Sequence, residues 1–100
     1  MFVYLIKSKD NNLYKIGVAK NPSNRIKQLQ TGSCEELIIV HTFETTIAFK
    51  VEKSIQRRYS HLHKINEWFN YDTTIEPNFL KECELINRSI LLIEENQNIK

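Results

Sequence analysis

Apolar residues open the chain in two runs, FVYLI and LYKIGV, separated by the polar stretch Ser8 to Asn11; this layout predicts a β-hairpin of Phe2 to Lys7 and Asn12 to Val18. Side chains alternate between the faces of a strand, so pairing Tyr4 with Lys15 collects Val3, Leu5, Tyr14, Ile16 and Val18 on one apolar face. The other face then carries Phe2, Tyr4, Ile6, Lys15 and Gly17, with a phenol and an amine side by side. Asn21-Pro22 reads as a helix cap followed by proline at the first helical position, and Gly32 as the stop, with Ile26 and Leu29 toward the sheet and Arg25 and Lys27 outward. The nearly continuous run LIIVHTF, Leu37 to Phe43, reads as a third, central strand. Thr45 or Thr46 then caps a helix running to about His63, with Ala48, Val51, Ile55, Tyr59 and Leu62 as its apolar stripe. Glu67-Trp68-Phe69 falls in a short extended segment. A last helix, about 77–97, repeats Phe79, Cys83, Ile86, Ile90 and Ile93 at steps of four and three, a face that packs on the domain or zips to a second copy.

Together these elements describe an α/β chain of the α+β kind: a small, mostly antiparallel three-stranded sheet begun by an N-terminal β-hairpin and flanked by helices. With 100 residues and neither internal repeat nor Gly/Ser linker, residues 1–100 read as a single domain. A hydrophobic content of 41% suits a soluble globular protein. No run approaches the roughly 20 apolar residues of a membrane span, so the expectation is an intracellular protein with no membrane partner. Cys34 and Cys83 fit no close-spaced metal or redox pattern and read as two reduced thiols.

The net charge of +2 says little about partners, but its distribution says more. Before Glu35, Lys7, Lys9, Lys15, Lys20, Arg25 and Lys27 are opposed only by Asp10, and a second basic group follows at Lys50, Lys53, Arg57, Arg58 and Lys64. Past Pro77 the balance turns acidic through Glu82, Glu84, Glu94 and Glu95. Such a division suits a phosphate-facing side and a far side, with Lys7, Lys20, Lys27, Arg57 and Arg58 as candidate nucleic-acid contacts. Glu52 is out of place at the edge of an apolar stripe, about 20° from Tyr59 at helical spacing; it is there as a salt-bridge partner of a basic hairpin residue or as a metal ligand. Arg25, one turn into its helix, caps a carbonyl or holds a phosphate.

These residues, in this order, resemble the GIY-YIG endonuclease superfamily, in particular its short branch with a Lys-Ile-Gly second motif and a Glu-Trp-Phe tripeptide. Phe2-Val3-Tyr4 stands for the first motif and Lys15-Ile16-Gly17, preceded by Tyr14, for the second. Arg25 with Leu29-Gln30-Thr31-Gly32, then Glu52, then Glu67-Trp68-Phe69 complete a pattern spanning residues 2–72. Phe2 replaces the first motif's glycine, and Lys15 takes the second motif's tyrosine position.

The resemblance implies a metal-dependent endonuclease hydrolysing DNA phosphodiester bonds. Catalytic roles fall by position on Tyr4, Lys15, Arg25, Glu52 and Tyr14, with one Mg²⁺ (or Mn²⁺) on Glu52, Arg25 on the scissile phosphate and Tyr4 taking a proton from the attacking water. Lys15, opposite Tyr4 in the expected register, would lower the phenol's pKa, whereas Tyr14 falls on the core face with its hydroxyl reaching the rim of the site. Glu67 is a second acid of the site or part of a structural tripeptide; Asn66 and Asn70 qualify by proximity alone. The competing reading is a non-catalytic nucleic-acid-binding or regulatory module on the same scaffold. Both expect DNA as partner, with RNA, a homodimer and a separate DNA-targeting partner left open. The Lys-, Asn- and Ile-rich composition hints at an AT-rich, viral or phage genome.

Overall fold

A computed structural model of the chain describes residues 1–98. Strand β1 (Phe2–Ser8) turns through four polar residues into β2 (Leu13–Ala19), followed by helix α1 (Pro22–Thr31), strand β3 (Leu37–Glu44) and helix α2 (Ala48–Arg58). A single 3₁₀ turn (Ser60–Leu62) then leads into two short strands, β4 (His63–Ile65) and β5 (Trp68–Asn70), and the long helix α3 (Ile75–Asn98). All strand pairs are antiparallel, in the order β3-β1-β2-β5-β4, so the sheet has five strands where the sequence suggests three. The additional pair are three-residue strands of a type that periodicity cannot detect.

The hairpin's register also differs from expectation. Tyr4 faces Gly17 and Ile6 faces Lys15, a slip of two residues along β2, set by the loop Lys9–Asn12 in which Asn12 adopts a positive φ of 50°. Because the slip is even, each side chain keeps its face. Val3, Leu5, Tyr14 and Ile16 lie in a core closed by Ala48, Val51 and Ile55 of α2 and by Ile75, Phe79 and Cys83 of α3. Across the sheet, Tyr4, Ile6 and Leu37 form a smaller core under Ile26 and Leu29 of α1, with Trp68 beside them.

Strand β3 pairs only with β1 and is therefore an edge strand, not the central one. Its run of apolar residues has a local cause. A register shift in the β1–β3 ladder pairs Leu5 with His41 and Ile6 with Ile39, so alternation is interrupted at Val40. Val40 packs into the larger core while the His41 ring stacks on Phe79 and its Nε2 meets the Glu76 carbonyl at 2.9 Å, which puts two consecutive residues on one face.

Helix α1 starts and stops where its capping residues dictate: Asn21 Oδ1 accepts from the Asn24 amide at 3.1 Å, Pro22 opens the first turn, and Gly32 ends it. Gln30 ties this helix to β3, donating to the Glu35 carbonyl at 2.6 Å and accepting from the Leu37 amide at 2.8 Å. Helix α2 ends at Arg58, short of His63, because the chain tightens into the 3₁₀ turn; its N-cap position is Ile47 with no side-chain cap, so neither Thr45 nor Thr46 caps it, and Thr45 only accepts from the Ile47 amide ahead of the helix at 3.2 Å. On α3, Phe79, Cys83 and Ile86 pack inward as the spacing suggests, but Ile93 is exposed. Burial pushes the Cys83 thiol up to about 12, so it remains a core thiol, while Cys34 is exposed on the loop before β3.

Phe79 links β3 and α3 by stacking on His41 from full burial. Phe79→Ala is expected to cost about 3–5 kcal/mol, the range for emptying a buried aromatic site, in equilibrium urea unfolding.

Candidate active site

The polar face of the hairpin is built around Gly17. A side chain there would have its Cβ 2.3 Å from the Tyr4 hydroxyl and 2.5 Å from the adjacent ring carbon, so the phenol lies directly over the backbone of β2. Only a residue without Cβ permits this approach. The β2–β5 ladder stops at Lys15, which leaves the Gly17–Ala19 end of β2 without a strand on that side.

Three elements contribute side chains around the Tyr4 hydroxyl. Tyr4 comes from β1 and is buried, 1% exposed. Arg25, half-buried on α1, does not reach outward as its helical position suggests; its guanidinium lies beside the Tyr4 hydroxyl while Nη1 also donates to Gln28 at 3.4 Å. Glu52 comes from α2 with 8% of its surface exposed. The Glu67 carboxylate lies next to Glu52 and its charge also reaches Tyr4. Gln56, one turn beyond Glu52, donates to the Ile16 carbonyl at 3.0 Å, and the Ile16 amide donates to the Glu67 carbonyl at 3.2 Å; α2 and the β4–β5 hairpin are thus anchored to the same residue of β2.

Electrostatics correct the expected role of Lys15. Its ammonium is buried with the residue 7% exposed, donates to Glu67 Oε1 at 3.0 Å and sits 5.4 Å above the Trp68 ring. It faces Ile6 across the hairpin, so it does not serve as the cation beside the phenol. Burial raises the Tyr4 pKa above its ordinary value, reinforced by the charges of Glu67 and Glu52, and the cation that works against this is Arg25. The resting phenol is neutral.

Tyr14 is not part of this cluster. It lies on the opposite face, its hydroxyl donating to Glu76 Oε1 at 2.6 Å and its ring stacked 5.8 Å from Tyr71. Burial first, and then Glu76, push its pKa upward, and that same hydrogen bond holds Glu76 below the usual carboxylate range. Lys7 joins it there, pairing with Glu76 at 3.5 Å over the Tyr71 ring, and Arg58 pairs with Glu82 at 3.6 Å. Lys20, Lys27 and Arg57 remain exposed. Asn66 takes a positive φ of 52° in the β4–β5 turn, and Asn70 pairs with Leu13 in the ladder.

Glu52 has the donor chemistry of a site for a hard cation. Burial, followed by the neighbouring Glu67 charge, raises its pKa from 4.5 to about 7, with Lys53 and Lys15 opposing. Among the described residues no lysine or arginine forms an ion pair with it, contrary to the salt-bridge alternative. Two carboxylates side by side with one ammonium fit a divalent ion that prefers oxygen. No group of three or more His, Cys, Asp or Glu forms a closed cage among the described residues, so such an ion would keep waters or substrate oxygens. The sequence pattern singles out Glu52 by its place in an apolar stripe; Glu67, in the β4–β5 turn, is offered only by the resemblance's tripeptide, since no periodicity marks it.

Fold and cluster define a small α+β domain whose polar centre is assembled by two helices and a hairpin. The chain belongs to the T5orf172 domain family, whose model matches residues 1–88 and so includes the core-facing part of α3 as well as the hairpin. No curated protein and no solved structure matches it. No helix among the described residues is long and apolar enough to cross a membrane.

Gly17→Ala tests the geometry. Its methyl must displace the Tyr4 ring, with an expected loss of about 1–3 kcal/mol in stability, the cost typical of overpacking, and a changed environment at Tyr4 in aromatic NMR signals. Tyr14→Phe is expected to cost about 1 kcal/mol, the worth of one hydrogen bond, and to leave the Tyr4 signals in place.

Proposed function

We propose that this domain is a metal-dependent endonuclease of the GIY-YIG type acting on DNA phosphodiester bonds. The observation that carries the reading is that the Tyr4 hydroxyl, lying over the one position of the hairpin that has no side chain, has Arg25 beside it and lies within reach of the Glu52 charge, the three residues coming from separate elements. Membership of the T5orf172 family, a phage-associated domain found in some GIY-YIG-like nucleases, supports a nuclease or DNA-binding role.

In this mechanism Arg25 holds the scissile phosphate through charge-assisted hydrogen bonds and offsets charge developing on it. Glu52, with Glu67 beside it, would hold the Mg²⁺ or Mn²⁺, which supplies Lewis acidity toward the phosphate when bound. Tyr4 orients the attacking water; it acts as base only after giving up its own proton to solvent, a loss that Arg25 favours as the adjacent cation, and the phenolate so formed takes the proton of the water. Lys15 acts at one remove: seated over the Trp68 ring, it holds the Glu67 carboxylate.

Supercoiled plasmid incubated with Mg²⁺ or Mn²⁺ is expected to be nicked, and EDTA, Glu52→Gln or Tyr4→Phe each to abolish nicking. Binding of DNA without cleavage in any metal would make the domain a non-catalytic nucleic-acid-binding or regulatory module instead.

Glu52 also gives a prediction about stability. Its folded pKa of about 7 lies above the ordinary 4.5, so the folded protein holds a proton that the unfolded chain releases between those values. The associated stability is full below about pH 4.5 and lost as pH rises through 7. Glu52→Gln removes this dependence and is expected to be more stable than the parent at pH 8, by on the order of 2 kcal/mol, with the gap closing toward pH 5 in urea unfolding. Mg²⁺ should raise the unfolding midpoint of the parent at pH 8 and leave that of Glu52→Gln unmoved.

A further inference from the structure

Beside the cluster, between α2 and the β4–β5 hairpin, is a cavity of about 430 Å³ lined by Lys53, Gln56, Arg57, Ser60, His63, Asn66 and Phe69. Its charged and titratable lining is entirely basic: Lys53, Arg57 and His63. Among the described residues none of the three has an acidic partner, whereas Lys7, Lys9, Lys15, Lys50, Arg58 and Arg88 all do. Gathering like charges around one hollow costs free energy that an anion bound there would recover.

The hollow is shaped by buried and bonded groups. The His63 ring stands edge-on to the buried Phe69 at 5.6 Å, and its Nε2 meets the Asn66 carbonyl at 2.8 Å, so the ring is held in place. Lys53, Arg57 and Ser60 fall on one side of the chain at helical spacing, facing the hairpin. Gln56 belongs to both places: it lines the cavity, and its amide holds the carbonyl of Ile16, the residue before Gly17. Four residues of helix separate it from Glu52, roughly 6 Å at 1.5 Å per residue. At about 3.4 Å of duplex rise per nucleotide, that is one to two nucleotides.

The geometry points to a second phosphate subsite at this cavity, in which Lys53 and Arg57 hold a non-scissile phosphate of the DNA strand one or two nucleotides from the Tyr4 centre. This inference rests on the nucleic-acid reading above and extends it by fixing the path of the strand along α2. Arg57 contributes the fork that matches phosphate oxygens. Lys53 serves two purposes, since its charge also favours the ionised form of Glu52. A phosphate held here fixes register without reading sequence.

The test uses the full chain carrying Glu52→Gln, so that binding is measured without cleavage, and a fluorescently labelled 20-base-pair duplex in EDTA across a salt series. Adding Lys53→Gln and Arg57→Gln is expected to flatten the slope of log affinity against log salt by about 1, one phosphate contact, beyond any change in a control carrying Lys81→Gln and Arg88→Gln. Lys81 and Arg88 are exposed residues of α3 and give the same change in net charge. Equal slopes in the two variants, or no binding by the parent, overturn the subsite. The outcome is separable from that of the nuclease proposal: a flattened slope stands even if the parent cuts no DNA, and plasmid nicking by the parent stands even if the slopes are equal.

Discussion

The contact between the Tyr4 ring and the bare backbone at Gly17 decides how everything else at the centre is placed. A phenol lying on a neighbouring strand keeps its hydroxyl against that strand's backbone. Arg25 can approach it from α1 on one side, and Glu52 makes its charge felt from α2 on the other. A side chain at position 17 would lift the ring away from the strand. The polar centre therefore depends on a missing group as much as on those present, and the unpaired end of β2 supplies the opening through which the two helices share one site.

Burial of charge at this centre is incompletely balanced. One ammonium, Lys15, bonds to Glu67, and Glu67 in turn lies beside Glu52. Desolvation and a like charge both favour a proton on Glu52, so the pair stores an attraction for any cation that can replace that proton. Structural ion pairs are usually closed against such exchange by matching charges one to one; here two carboxylates share one lysine. The same arrangement leaves Tyr4 with Arg25 as its adjacent cation and makes the phenol dependent on α1, the helix that covers its own face of the sheet.

Much of this was legible before folding, for reasons of parity. Strand alternation assigns Tyr4, Lys15 and Gly17 to one face and Tyr14 to the other under either register, because a slip of two residues changes partners without changing faces. Cap chemistry at Asn21-Pro22 and Gly32 gave α1 its limits. Which residue touches which was not legible. The four-residue turn with Asn12 at positive φ moved Gly17, rather than Lys15, opposite Tyr4. An interrupted ladder at Val40 imitated the apolar run of a central strand. Glu67 reached Glu52 only because three-residue strands, too short for any periodic signal, fold the segment back along β2.

The charge pattern follows the same division between what a sequence counts and what a fold pairs. Several acids of α3 meet basic residues of other elements: Glu76 takes Lys7, Glu82 takes Arg58 and Glu94 takes Lys50, while Glu84 is matched within the helix by Arg88. Lys7 and Arg58, attractive as phosphate contacts from the sequence, are thereby drawn into local pairs. Among the described residues, Lys20, Lys27, Lys53 and Arg57 have no acidic partner, and they lie on or beside the two helices that form the centre. A modest net charge of +2 thus arises from a neutralised far side and a positive near side. Since a polyanion responds to the local potential rather than to the total, the field that would orient a phosphate backbone lies where Arg25 and Glu52 converge.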